Sequence, residues 1–239
     1  MSMKFTDKVV LVTGGTGGLG RAVSLAFLEA GANVAVTYRS EKELDSLKAA
    51  AGERASLLDG HSVDVTDEAA VRQLIEKLLA SHQHLDVLVN TVGGYVGGIM
   101  LWELEPADFE RMLSLNLRSG YVLSRAIVPV MLKQGTGRIV NIAAKAAFDH
   151  GAGAAAYAAS KAAAVAMIDS LAADLKGSGV RVNTILPSII DTEANRRAMP
   201  DANFTHWPKP EDIARVILFL CSEEAEVVHG AAVPVYGNS

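Results

Sequence analysis

Half of the 239 residues are hydrophobic, enough to build a large α/β core, which argues against a disordered chain. Basic residues number 22 against 27 acidic ones, a net charge of −5, so a nucleic-acid surface is excluded as a partner. No apolar stretch is long enough to span a bilayer, and Met1–Phe5 carries no signal-peptide core. With Cys221 as the single cysteine there is no internal disulfide, and a cytoplasmic protein without membrane partners is expected. Cys221 lies in the apolar run Val216–Cys221 and reads as a buried small hydrophobe.

Val9–Thr13 is a short β-branched run, read as a buried strand. It leads into Gly14-Gly15-Thr16-Gly17-Gly18-Leu19-Gly20, then into a helix over Arg21–Ala30 that Gly31 stops. Strand, glycine-rich turn and helix form the context of a dinucleotide site. Gly14, Thr16, Gly18, Leu19 and Gly20 are the candidate pyrophosphate contacts, because the turn lets backbone approach closely and the helix start offers N–H groups. The second strand, Asn33–Tyr38, is followed by Arg39 and Ser40 rather than by an acid. A guanidinium and a hydroxyl suit a ribose 2′-phosphate, so NADP(H) is preferred, with NAD(H) as the alternative.

Glu41–Ala51 reads as a helix, and a third strand is expected to end at Val63-Asp64-Val65. There Asp64 and Val65 either flank the adenine, or Asp64 caps a turn before a helix over Asp67–Ala80. The fourth strand, Leu85–Asn90, opens into Thr91-Val92-Gly93-Gly94-Tyr95-Val96-Gly97-Gly98, a glycine-rich loop at a carboxyl strand end. Tyr95 in that loop either stacks on a flat substrate or packs the loop. A long helix after Pro106 carries Asn116, a polar amide among leucines that requires partners. The fifth strand is Arg138–Ala143, followed by Ala144. The sixth is Val180–Leu186, ended by Pro187. Ser188–Pro208 is read as a loop-like lid containing Ile189, Thr192, His206 and Trp207, with Trp207 either closing over substrate or anchoring the lid. A helix over Pro210–Leu220 and a strand over Ala232–Tyr236 complete the chain. No linker or repeat divides it. The expected fold is α/β, a single Rossmann domain with one doubly wound parallel sheet of about seven strands. The histidines show no ligand spacing, so no metal is expected.

Tyr157 and Lys161 stand four apart at the start of an alanine-rich helix running to about Lys176. That spacing puts them on one face, where an ammonium would favour the phenolate and bring the phenol toward neutral pH.

Together, Thr13-Gly14-x-x-x-Gly18-x-Gly20, Asp64, Asn90-Thr91-Val92-Gly93, Asn116 and Tyr157-x-x-x-Lys161 resemble the short-chain dehydrogenase/reductase family over essentially the whole chain. The resemblance implies hydride transfer with Tyr157 as proton donor. It implies that Lys161 binds the nicotinamide ribose and tunes Tyr157, and that Asn116 holds a water linked to Lys161. Asn90 and Gly93 join the cofactor site, and Pro187, Ile189 and Thr192 hold the carboxamide. It also implies a homodimer or homotetramer in which the helices carrying Asn116 and Tyr157 pack on their copies. One departure stands out: the family's catalytic serine falls at Ala144. Three segments (Gly93–Gly98, Ala144–Asp149 and Asp191–Phe204 with Trp207) are similar to the dihydropteridine reductase branch, which also lacks that serine. They imply a small conjugated or cyclic substrate such as a quinonoid dihydropterin. The alternatives are ketone reduction of the 3-oxoacyl-carrier-protein type, or a non-catalytic dinucleotide-binding protein.

Overall fold

The computed structural model describes residues 3–238. Met1 and Ser2, part of the N-terminal stretch weighed above, and Ser239 lie outside the described residues. Seven strands, β1 (Val9–Thr13), β2 (Asn33–Tyr38), β3 (Leu58–Ser62), β4 (Val87–Asn90), β5 (Gly137–Ile142), β6 (Val180–Pro187) and β7 (Ala232–Val235), form one sheet. Its order is β3-β2-β1-β4-β5-β6-β7 and every pairing is parallel. This is the doubly wound α/β fold expected from the sequence.

Because helices cover both faces, the central strands are apolar on both sides. Val10, Val12, Val34, Val36, Val89 and Val140 point to one layer, where they meet Phe27 of α1 (Gly18–Glu29) and Ile217 of α8 (Pro210–Cys221). Leu11, Leu88, Ile139 and Val182 point to the other. There they meet Leu74 of α3 (Glu68–His82), Leu123 of α5 (Ser119–Gln134) and Ile168 of α6 (Ala155–Asp174). At the carboxyl edge this layer turns polar. The Thr13 hydroxyl donates to Asn90 Oδ1 at 2.8 Å, and Asn90 Nδ2 donates to Asn141 Oδ1 at 3.0 Å. These bonds tie the carboxyl ends of β1, β4 and β5 together, and the loops that leave those ends form the site.

Three expectations change. The third strand ends at Ser62, not at Val65, because its last pair is Tyr38 with Ser62 and β2 offers nothing beyond. The long helix after Glu105 is interrupted: α4 (Pro106–Leu113) passes through a π-turn over Ser114–Arg118 before α5 begins. The 188–208 segment is not all loop, since it holds α7 (Glu193–Ala198), capped by Thr192, and a 3₁₀ turn over Phe204–His206. Cys221 is buried, as expected, and desolvation pushes its thiol well up. Among the described residues, no helix is long and apolar enough to cross a membrane.

Candidate active site

The glycine-rich turn is shaped by contacts that leave no room for side chains. Gly14 has φ of +67°, a left-handed conformation natural to glycine. A Cβ on Gly20 would lie 2.1 Å from the Gly14 carbonyl oxygen, so the first turn of α1 packs directly on the loop. The Gly14 N–H donates to Thr37 Oγ1 at 2.9 Å and the Gly15 N–H to the Thr37 carbonyl at 3.1 Å, which lashes the turn to β2. No side chain caps α1. Its first N–H groups are therefore left without a capping side-chain acceptor, beside a cleft that Gly17 lines, as an anion site requires. The cleft extends from Tyr38 and Arg39 past Gly14, Thr16 and Val65 to Gly93, across the point where strand order reverses between β1 and β4. These residues fit a dinucleotide.

At the ribose end Arg39 is exposed and Ser40 is committed to capping α2 (Glu41–Ala51), its oxygen accepting from the Glu43 N–H. Asp64 Oδ1 accepts from the N–H and hydroxyl of Thr66 at 2.9 and 2.8 Å. Those bonds hold its carboxyl below the usual range and make it the turn-former that was one of its two readings. Val65 lies buried beside it and lines the cleft. Glu43 was not among the expected site residues, because no acid directly follows β2. Yet Glu43 Oε2 accepts the Thr16 hydroxyl at 3.0 Å, inside the cleft. The pattern Ser40-x-x-Glu43 was the available signal, since it starts a helix and turns its third residue back toward the strand end.

Tyr157 and Lys161 share one face of α6. Lys161 is buried and its Nζ donates to the Ile142 carbonyl at 2.9 Å. A Cβ on Gly93 would be 3.2 Å from that Nζ, so the ammonium borders the far end of the cleft. Burial brings Lys161 down to about 8 and pushes Tyr157 up to about 12. The expected lowering of the phenol is therefore not what this geometry produces. Desolvation is the largest effect on Tyr157, Tyr95 adds to it, and Lys161 Nζ lies 6.0 Å from its ring centre. Asn116 finds its partners in the loop. Its Oδ1 accepts from Gly94 N–H at 2.9 Å, and its Nδ2 lies 3.0 Å from both the Gly94 carbonyl and Ser160 Oγ. The amide thus ties the π-turn to the loop after β4 and to α6.

Ala144 is buried and starts a 3₁₀ turn over Lys145–Ala147. His150 Nε2 lies 3.2 Å from the Ala147 carbonyl oxygen at the end of that turn. Tyr95 is 66% exposed and stands edge-on to Tyr157, ring centres 4.9 Å apart. Gly97 permits this, because a Cβ there would meet the Tyr95 hydroxyl at 2.0 Å. Pro187 is buried at the end of β6 and Ile189 is exposed. A Cβ on Gly18 would lie 2.7 Å from Thr192 Cγ2, so the start of α7 rests on the glycine-rich turn. Trp207 is only 8% exposed and packs on Phe204 at 4.9 Å. That is the anchoring placement, not one open to substrate.

A family model for short chain dehydrogenases matches residues 8–203. The chain belongs to the short-chain dehydrogenase family. It is 32% identical to the 3-oxoacyl-[acyl-carrier-protein] reductase FabG of Thermotoga maritima, covering 99% of both chains. It is also 32% identical to the D-threitol dehydrogenase of Mycolicibacterium smegmatis, covering 98% of this chain and 94% of the relative. A solved structure of ElxO with NADP bound superimposes with a TM-score of 0.91 at 26% identity, covering 96% of this chain and 97% of that one. The chain is accordingly a short-chain, NAD(P)-dependent oxidoreductase type. The 3-oxoacyl reductase and the D-threitol dehydrogenase are not dihydropteridine reductases, which corrects the expectation drawn from three short loop segments. Loop similarity of that extent carries less than identity along the whole chain.

Proposed function

We propose that this chain is an NADPH-dependent reductase of a small carbonyl compound, of the kind its 3-oxoacyl reductase relatives reduce. The observation that carries it is the placement of Tyr157 and Lys161 on one face of α6, with the Lys161 ammonium bordering the dinucleotide cleft at Gly93. Bound nicotinamide would supply the hydride. Tyr157, held as the neutral phenol, would donate the proton that the reduced oxygen takes up. Lys161, anchored by the Ile142 carbonyl, would hold the nicotinamide ribose. Asn116 keeps the Gly93–Gly94 backbone in place beside them, and the 188–208 segment would serve as a lid with Trp207 as its anchor. Arg39 supports the preference for NADP(H) over NAD(H).

Ala144 favours a second reading within the same class. Without a hydroxyl there, a developing oxyanion lacks one donor, a loss of roughly 10²–10³ in rate for an ordinary ketone. A conjugated or cyclic substrate that spreads its charge needs less help, and the exposed Tyr95 ring beside Tyr157 offers it a face. Stopped-flow oxidation of NADPH with a 3-oxoacyl thioester, simple ketones and a quinonoid dihydropterin tests both readings. Turnover of the thioester or ketones supports the first and turnover of the pterin alone the second. Tyr157→Phe should abolish whichever is found while NADPH still binds. No turnover in any class, with NADPH bound, would return the chain to a dinucleotide-binding role. For assembly we infer a homodimer or homotetramer formed through the helices that carry Asn116 and Tyr157.

A further inference from the structure

The ribose end of the cleft holds two opposite charges. Arg39 follows β2 directly, and Glu43 is the third residue of α2. Both line the cleft with Thr16 and Tyr38. Among the described residues neither forms a salt bridge, although the Arg39 charge also helps to lower the nearby Asp64 carboxyl, whereas the neighbouring acid Glu41 is taken up by the Tyr38 hydroxyl at 2.5 Å. Glu43 is exposed yet held in place. Its own N–H is bound by Ser40 Oγ at 3.4 Å, and its Oε2 accepts the hydroxyl of the buried Thr16 at 3.0 Å. Its carboxylate is therefore fixed on the wall of the cleft, with its other lone pairs open to a ligand.

A carboxylate at this end accepts from a ribose 2′-hydroxyl, and a guanidinium binds a 2′-phosphate. A 2′-phosphate beside a carboxylate is repelled by the like charge. We propose that Glu43 is a cofactor-discriminating residue that opposes Arg39, so that the protein accepts NADH as well as NADPH and its preference between them is held small. The proposal rests on reading the cleft as a dinucleotide site, and it adds a residue that weakens the NADP(H) preference Arg39 alone would give.

The test is direct binding, read apart from turnover. Dissociation constants for NADPH and NADH are measured by fluorescence, and those for adenosine 2′,5′-bisphosphate and 5′-AMP by calorimetry, on wild type, Glu43→Gln and Arg39→Ala. Glu43→Gln should tighten NADPH and the bisphosphate about fivefold to tenfold, as expected for removing one charge beside a near-dianionic phosphate in a wet cleft. It should weaken NADH by a few-fold, and the shift should shrink as salt is raised. Arg39→Ala should move the NADPH/NADH ratio the opposite way. Glu43→Ala, with melting temperatures for each variant, guards against a folding artefact. If wild type binds both dinucleotides and the ratio is unchanged in Glu43→Gln and Glu43→Ala, the role of Glu43 is overturned and the dinucleotide reading stands. If wild type binds neither, both fall.

Discussion

Lys161 shows how one buried charge links stability to pH. Burial holds it at about 8 in the fold against an ordinary value of 10.5. Between these values the unfolded chain keeps a proton that the folded chain has released, so stability rises with pH through that window. From pH 7.5 to 9.5 the gain should be on the order of 2 kcal/mol, read by urea unfolding. Lys161→Met should lose that slope, and a wild-type stability flat over the range would refute the assignment. Above pH 10 Tyr157 acts in the opposite sense. The folded phenol, held at about 12, keeps its proton while the unfolded one loses it, so stability falls as pH rises toward that value. Ala144 gives the other test at this scale. Ala144→Ser should raise kcat/KM for a simple ketone by up to roughly 10²–10³ if the remaining carbonyl geometry is intact. An unchanged ketone rate would show that the substrate never required that donor. Both residues stood out in the sequence because spacing on a helix and a missing hydroxyl are local facts. The pKa of Tyr157 was not legible, since it depends on how much chain covers the ring, and Tyr95 contributes to that cover from a loop far away in sequence. Glu43 escaped because its role depends on a hydrogen bond to Thr16 across 27 positions.

Among elements, the glycine-rich turn with its flanking strand and helix was readable because each piece has its own period or punctuation. The π-turn over Ser114–Arg118 was not, since Leu113-Ser114-Leu115-Asn116-Leu117 reads as ordinary helix. Its effect is to place Asn116 where its amide meets both the N–H and the carbonyl of Gly94. A Cβ on Gly94 would strike Leu115 Cδ1 at 2.8 Å, so the loop and the π-turn are in direct contact. Asn116→Ala would leave two backbone groups and Ser160 short of a partner. It should cost about 1–3 kcal/mol in unfolding free energy and speed amide exchange at Gly93–Gly98. The effect should be clearest in exchange at Gly94 itself. Unaltered protection there would mean that something other than Asn116 holds the loop. The third strand was misplaced for a comparable reason: Val63-Asp64-Val65 has strand composition, but β2 has no residue left to pair with it.

For the whole molecule, helices bury apolar layers on both faces of the parallel sheet, and the large apolar side chains that remain exposed are informative. Leu113, Leu117, Tyr121 and Met167 line an open groove between the α4–α5 helices and α6. Tyr121 is 44% exposed there. These are the helices that carry Asn116 and Tyr157, so a second copy seated on the groove would also brace both. Symmetric pairing places the same patch on each partner, and Tyr121 of one chain would meet the corresponding groove of the other. Tyr121→Glu puts a charge into that contact twice over, while in a monomer it changes only an exposed helix position, worth within about 0.5 kcal/mol. Light scattering behind size exclusion should therefore show a dimer or tetramer for wild type and a species of half the mass or less for Tyr121→Glu, at a little-changed monomer melting temperature. A wild type that is monomeric at tens of micromolar, or a variant that keeps its mass, would mean that the groove serves some other end. In the first case α6 must position Tyr157 and Lys161 through the sheet alone.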